Sequence, residues 1–371
     1  MSSNVKVILA VAALALAWSG VASAGIISVD PWVNLAYDTT ISSNDSSAVS
    51  SALNKRDYWI VNRWHQSKVV SPGDPLYIAF DLGADNSAMV SYVRIYNISD
   101  ASSAFNYHLE YLPAGMENIA ENWVAIEGTQ RTGVSTNPGD IFQFDAVDAR
   151  ALRWVLTGGT ANNFRFTRFE FFTANPTAHN LANVEGATLT HSTNPDVLGA
   201  DAAKAYNGII GDRFNAATDQ QFLTLMLPEA YDLQFLRLYS EDTGQSIGLF
   251  SLEYLVVDEF GESTWKVVPG CANLGPNAYT QMRHPETNAW VTNPDYAAVA
   301  HLAVPNIWEV DLTVIPEAAM GLRLNVAMPS TNPTNPILRV WEFEVFGTPV
   351  PEPATMSLLA LGGLALLRRR K

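Results

Sequence analysis

One series of short apolar blocks occurs twice in this chain in the same order, and that duplication limits what the chain can fold into. Asn34-Leu35-Ala36 opens the first copy and Asn180-Leu181-Ala182 the second. Phe80-Asp81-Leu82-Gly83 is matched by Leu225-Met226-Leu227-Pro228, and Val93-Arg94-Ile95-Tyr96 by Leu236-Arg237-Leu238-Tyr239. His108-Leu109-Glu110-Tyr111-Leu112 returns as Ser251-Leu252-Glu253-Tyr254-Leu255, and Trp123-Val124-Ala125-Ile126 as Trp265-Lys266-Val267-Val268. Ala151-Leu152-Arg153 answers to Gly321-Leu322-Arg323, and Phe169-Glu170-Phe171-Phe172 to Phe343-Glu344-Val345-Phe346. Most blocks alternate apolar and polar residues and are flanked by turn formers, the pattern of half-buried antiparallel strands. Two all-β domains follow, joined near Thr173 to His179, where Asn175-Pro176-Thr177 interrupts the alternation.

The ordered blocks, from the N-L-A opening to the closing E-F-x-V-F-G strand, resemble the discoidin (coagulation factor 5/8 type C) domain. The carbohydrate-binding modules of that superfamily look similar. The resemblance covers nearly all of residues 30–348. It implies an all-β chain with two tandem jelly-roll β-sandwich domains of the galactose-binding type, at 25–174 and 175–348, whose ligands sit on loops at one end. It also implies a structural Ca²⁺ between an A-x-D-G loop and a Glu in the last strand. In the second copy Ala205-Tyr206-Asn207-Gly208 stands at that loop, Asp212 lies just beyond, and Glu342 holds the closing-strand position. Hard oxygen donors of this kind suit Ca²⁺, although Asn in place of Asp removes a charge. The first copy has Ala52-Leu53-Asn54-Lys55, without the glycine, and Arg168 instead of the closing Glu. A cation opposite the metal makes a poor shell, so calcium is expected in the second domain only.

The copies differ most between the Trp and L-R blocks, where the second is longer by 28 residues, falling within about 269–305. Long loops in compact domains tend to be functional or disordered, and this one is too aromatic for a tether. It holds Tyr279, Arg283, His284, Trp290 and Tyr296, which suit a ligand-binding face of stacking rings and hydrogen-bonding groups. The same residues suit, somewhat better, packing of the insertion against its own domain or against the first. In the first copy Tyr58 and Trp59 are further candidates for ligand contact.

Charge sets limits on partners. The chain carries −15, and removing Lys6 and the four C-terminal basic residues leaves −20 for the body between the ends. Nucleic-acid binders need a basic footprint, so a nucleic-acid partner is not expected. A neutral glycan, or an acidic one bridged by divalent cations, is compatible. Cys271 is the only cysteine and excludes an internal disulfide. No G-x-S-x-G elbow, P-loop or H-E-x-x-H helix occurs, so the chain reads as a non-enzymatic binding protein. Recognition of polysaccharide is the expected function. A structural or adhesive protein without glycan binding is the alternative, and a polysaccharide hydrolase a more distant one.

Both ends point to export. Residues 1–24 read as a signal peptide: Lys6, an apolar run from Val7 to about Trp18, and Ala22-Ser23-Ala24 before the cleavage point. At the other end Val350-Pro351-Glu352-Pro353 precedes an apolar run, Met356 to Leu367, and the cluster Arg368-Arg369-Arg370-Lys371. About twelve helical residues reach only ~18 Å against a ~30 Å hydrocarbon core, a transient handle rather than a permanent anchor. Residues 349–371 resemble the PEP-CTERM sorting signal of Gram-negative bacteria, with Pro351, Glu352 and Pro353 as its motif. That resemblance implies an exosortase as processing partner, only transient membrane contact through the terminal helix, and delivery through the periplasm to the cell surface or beyond.

Overall fold

A computed structural model describes residues 25–26, 29–44, 64–66, 70–97, 105–134, 139–159, 164–191, 202–206, 214–217, 221–240, 247–275, 281–283, 290–292, 300–304, 307–328 and 337–351. These residues are overwhelmingly strands, and the chain divides into two compact units between Pro176 and Thr177. Residues 1–24 lie outside the described residues.

The first unit contains β1 (Gly25–Ile26), β2 (Thr40–Ser43), β3 (Trp64–Gln66), β4 (Leu76–Asp81), β5 (Asn86–Asn97), β6 (Phe105–Pro113), β7 (Val124–Ala125), β8 (Arg131–Val134), β9 (Gly139–Gly159) and β10 (Phe164–Phe172). Nearly every pairing is antiparallel, along the order β2-β4-β9-β5-β10-β3, with β6 on the far half of β9. The 21-residue β9 pairs with β5 through its first half and with β4 and β6 through its second. One bent strand thus feeds both layers, and the sheet curls around a core that includes Leu76, Ile78, Phe80, Ile95, Leu109, Trp154 and Phe169. Phe80 and Phe169 stack at 4.4 Å within it.

The second unit runs β11 (Thr188–His191), β12 (Phe214–Ala217), β13 (Gln221–Ser240), β14 (Leu249–Val257), β15 (Ser263–Val267), β16 (Gln281–Arg283), β17 (Trp290–Thr292), β18 (Ala300–Val304), β19 (Ile307–Asp311), β20 (Ala319–Met328) and β21 (Ile337–Pro349). Its sheet order is β12-β21-β13-β20-β14-β15, with β11 and β19 also on β13. Here β13 is the long bent strand, covering what β4 and β5 cover separately in the first unit. The path of β9 is instead broken into β19 and β20. The expected all-β, jelly-roll sandwich class holds for both units.

The repeat blocks have equivalent jobs. Asn34 and Asn180 each accept from the backbone N–H two residues on, at 3.1 Å, which starts a short 3-10 turn. Each then reaches across to the closing strand, accepting from Phe171 N at 3.2 Å or Val345 N at 3.0 Å. The great majority of buried polar groups are hydrogen-bonded, and here the bonds make the N-L-A block a clasp between the domain's first turn and its last strand. The V-R-I-Y and closing blocks pair in the same register, Arg94 opposite Glu170 and Arg237 opposite Glu344.

Candidate ligand-binding faces

Three residues identical between the copies, Glu110/Glu253, Arg153/Arg323 and Trp123/Trp265, meet on the outward face of each sandwich. Alternation makes this inevitable. Leu109, Leu252, Leu152 and Leu322 face the core, so the neighbouring Glu and Arg face outward. Register places Glu110 opposite Arg153 and Glu253 opposite Arg323.

In the first domain Arg153 Nε donates to Glu110 Oε2 at 2.6 Å. Its guanidinium lies 4.3 Å from the Trp123 ring and 5.0 Å from the Tyr77 ring, so it sits between two aromatic groups. His108 Nε2 is 2.8 Å from the other Glu110 oxygen. Burial works against ionisation of Glu110, but the His108 hydrogen bond and the Arg153 charge outweigh it and hold the carboxyl below its usual range. The second domain repeats the device: Arg323 Nε donates to Glu253 Oε2 at 2.7 Å, Nη2 contacts the same oxygen, and the guanidinium lies 4.3 Å from Trp265 and 4.7 Å from Phe222. Asn325 Nδ2 takes the place of His108, donating to Glu253 Oε1 at 3.1 Å. Gly321 lets β20 run close against β13, since a Cβ there would come within 2.6 Å of Leu225 O.

Each cluster ties three strands and an aromatic ring together, through charge-assisted hydrogen bonds and cation–π contact. It also leaves a half-buried Trp, a second half-buried ring and a carboxylate on the outward face. Sequence reading matched these blocks but did not join them into a site. The signal was present in a Glu, an Arg and a Trp that are outward and identical in both copies.

The sequence-predicted site residues are distributed differently. Tyr58, Trp59, Tyr279, His284, Tyr296, Asn207, Asp212, Glu352 and Pro353 lie outside the described residues. Arg283 and Trp290 are backbone partners in the β16–β17 ribbon, so part of the insertion forms strands. Another part, β18, pairs with β19 and extends the sheet. Glu342 is fully buried on β21. It stands opposite Tyr239, the register position that Arg168 occupies opposite Tyr96 in the first domain. The 3-10 turn Ala202–Ala205, which leads toward Asn207, packs against β21. Among the described residues no three His, Cys, Asp or Glu side chains assemble as a metal shell. Pro351 is exposed just beyond β21. No described helix is long and apolar enough to cross a membrane.

The last 23 residues, 349–371, match the PEP-CTERM protein-sorting motif. This motif marks proteins that are exported, processed by exosortase and sorted to the cell surface. No curated protein matches the chain. Among solved structures it is similar to a fucolectin from striped bass (Morone saxatilis) serum, at 13% identity and a TM-score of 0.29, over 86% of this chain and 99% of that one. A pair of CBM32 domains from Clostridium perfringens ZmpB, in complex with GalNAc, is similar at 10% identity and a TM-score of 0.31, over 85% and 91%. Chitosan-binding module 1 of a Paenibacillus chitosanase/glucanase is similar at 19% identity and a TM-score of 0.30, over 38% and 98%.

Proposed function

We propose that this exported, surface-sorted chain is a non-catalytic polysaccharide-binding protein that acts in the envelope matrix of its own cell or on particles outside. The observation that carries the reading is the duplicated outward cluster, in which a Trp, a second aromatic ring, a guanidinium and a carboxylate share one sheet face in each domain. Rings offer a flat apolar surface to a sugar's C–H face, and neighbouring polar groups accept or donate to its hydroxyls. The aromatic insertion, with Tyr279, Arg283, His284, Trp290 and Tyr296, is the second ligand-contact region in this reading, and Tyr58 and Trp59 the third. Retention of the two-domain body on neutral, acidic and amino-polysaccharide gels tests it. Slowed migration on at least one is expected, and no retention on any, with or without calcium, overturns it.

The second domain is proposed to hold one structural Ca²⁺ through Asn207, Asp212 and Glu342. The position of Glu342 on the buried strand and the turn packed against that strand support this, because a carboxylate oxygen is a hard donor of the kind Ca²⁺ takes. Calcium is expected to raise the melting temperature of the native chain and to leave Glu342→Gln unchanged. An equal shift in both proteins rules the site out.

A further inference from the structure

Nine large apolar side chains are strongly exposed among the described residues, and six of them lie on one hairpin of each domain. Met116, Ile119 and Val124 occupy the β6–β7 connection and its edge strand. Val257, Phe260 and Val267 occupy the equivalent β14–β15 hairpin. The two connections differ in length and sequence, yet both put apolar groups into water at the same place. Phe260 is the extreme case at 82% exposed.

This exposure is built in. Asp258 Oδ1 accepts from Phe260 N and Glu262 N, both at 2.9 Å, and Gly261 N donates to Asp258 O at 3.0 Å. Gly261 supplies the left-handed residue, φ +81°, that closes the turn. A turn held this tightly fixes Phe260 at its tip before any ligand arrives. Strand register puts Val257, Trp265 and Val267 on the same outward face as Glu253, so the apolar ledge runs from the tip into the cluster around Arg323.

The charges beside the ledge select its occupant. Glu259 and Glu262 flank Phe260 and are exposed, as are Glu117 and Glu121 beside Met116 and Ile119. The nearby cation of the second hairpin, Lys266, is engaged by Glu317. Apolar groups ringed by carboxylates on a body carrying about −20 are repelled by an anionic lipid surface and by a second copy of the chain. They complement a ligand that is apolar on one side and positive on the other.

We propose that these hairpin ledges bind a polysaccharide with unblocked amino groups, a hexosamine polymer, stacking its ring faces on Phe260 and Trp265 and pairing its ammonium groups with Glu259 and Glu262. This inference rests on the polysaccharide-binding reading and names the ligand class within it.

The test is titration of the two-domain body with glucosamine oligomers and with N-acetylglucosamine oligomers of equal length, at low and high salt. The native protein is expected to prefer the free amine and to lose that preference as salt rises. Phe260→Ala, at a site too exposed to matter for folding, is expected to weaken binding about tenfold with an unchanged melting temperature. Glu259→Gln with Glu262→Gln is expected to bring the two oligomers to equal affinity. If the native protein binds neither these oligomers nor any other glycan, the functional reading and this inference fail together. If it binds but the variants behave as native, this inference alone fails. Phe260-dependent capture by phosphatidylcholine–phosphatidylglycerol vesicles, or Phe260-dependent dimerisation, would overturn it in favour of a membrane or a self-association surface.

Discussion

The two domains solve one structural problem with different amounts of buried charge. On each, an Arg of the V-R-I-Y block faces away from the hydrophobic core and is nonetheless buried, with a Glu of the closing strand opposite it. In the first domain Arg94 Nη1 stands 3.8 Å from Glu170 Oε2, while the strand on its other side presents Ile141, 41% exposed. In the second domain that strand is β19, which presents Glu309 instead. Arg237 therefore donates to two carboxylates, Glu309 at 2.8 Å and Glu344 at 3.1 Å, with all three groups buried. Breaking the path of β9 into β19 and β20 accompanies this change. A strand that carries Glu309 into the interior needs its partner already in place, because a buried carboxylate without a cation is strongly disfavoured.

Removing Arg237 should therefore cost most. Arg237→Met takes the cation away from two buried carboxylates and is expected to lower stability by about 3–5 kcal/mol, read from urea denaturation of the two-domain body. Arg94→Met takes it from a single carboxylate that stands farther away, at 3.8 Å, and should cost less. Equal losses would mean that Glu309 adds nothing to the second domain's dependence on its arginine. Adding Glu309→Leu to Arg237→Met should return part of the loss, since an apolar residue there removes one of the two carboxylates that Arg237 served.

The asparagine clasps give a finer contrast. Asn180 accepts two N–H bonds and donates Nδ2 to Phe343 O at 3.2 Å. Asn34 accepts two, and its Nδ2 has no partner among the described residues. Asn180→Ala is expected to cost about 1–3 kcal/mol, and Asn34→Ala less, because fewer buried groups lose a bond. A reversed order in chemical denaturation would show that the clasps are not equivalent devices.

How much of this was legible beforehand depended on whether a feature is local or paired. Alternation placed the strands, because a period of two is written in consecutive residues such as Leu76-Tyr77-Ile78. Duplication pointed to two domains, because Asn34 and Asn180, or Arg94 and Arg237, are the same residue in the same block. The outward clusters were not read as sites, since Glu110, Arg153 and Trp123 are far apart in sequence and only register unites them. Glu309 was hidden further: it lies beyond the insertion and has no identical residue in the first copy, where Ile141 stands. The apolar hairpins escaped because exposure is a property of a turn's geometry. Phe260 reads like any other strand aromatic until Asp258 and Gly261 fold it outward.

The mildest contrast lies in the core. Asp140 pairs with Ile95 in the first domain, and Trp308 pairs with Leu238 at the matching position in the second. Trp308 is fully buried and meets Phe250 edge-on at 5.0 Å. Asp140 instead has one carboxylate oxygen 3.9 Å from Arg131 Nε, while Oδ2 is buried with no hydrogen-bond partner among the described residues. The first domain fills that layer from other strands, with Tyr107 edge-on to Trp154 at 5.3 Å, and tolerates a carboxyl at its margin. Desolvation pushes the Asp140 carboxyl up from 3.8 to about 6. A folded state that holds this proton more tightly than the unfolded chain gains stability from it below pH 4. It loses that contribution as pH rises through 6, and the loss is complete above. Glu110, held below its usual range, acts in the opposite sense at lower pH, so the informative quantity is the difference between native protein and Asp140→Asn. That difference should favour the variant increasingly from pH 4 to 7 and then level off, as melting temperatures at fixed ionic strength would show. A difference that is flat with pH would mean that Asp140 is ionised in the folded protein at a normal pKa, and that Arg131 compensates its burial as fully as Trp308 fills the same position in the second domain.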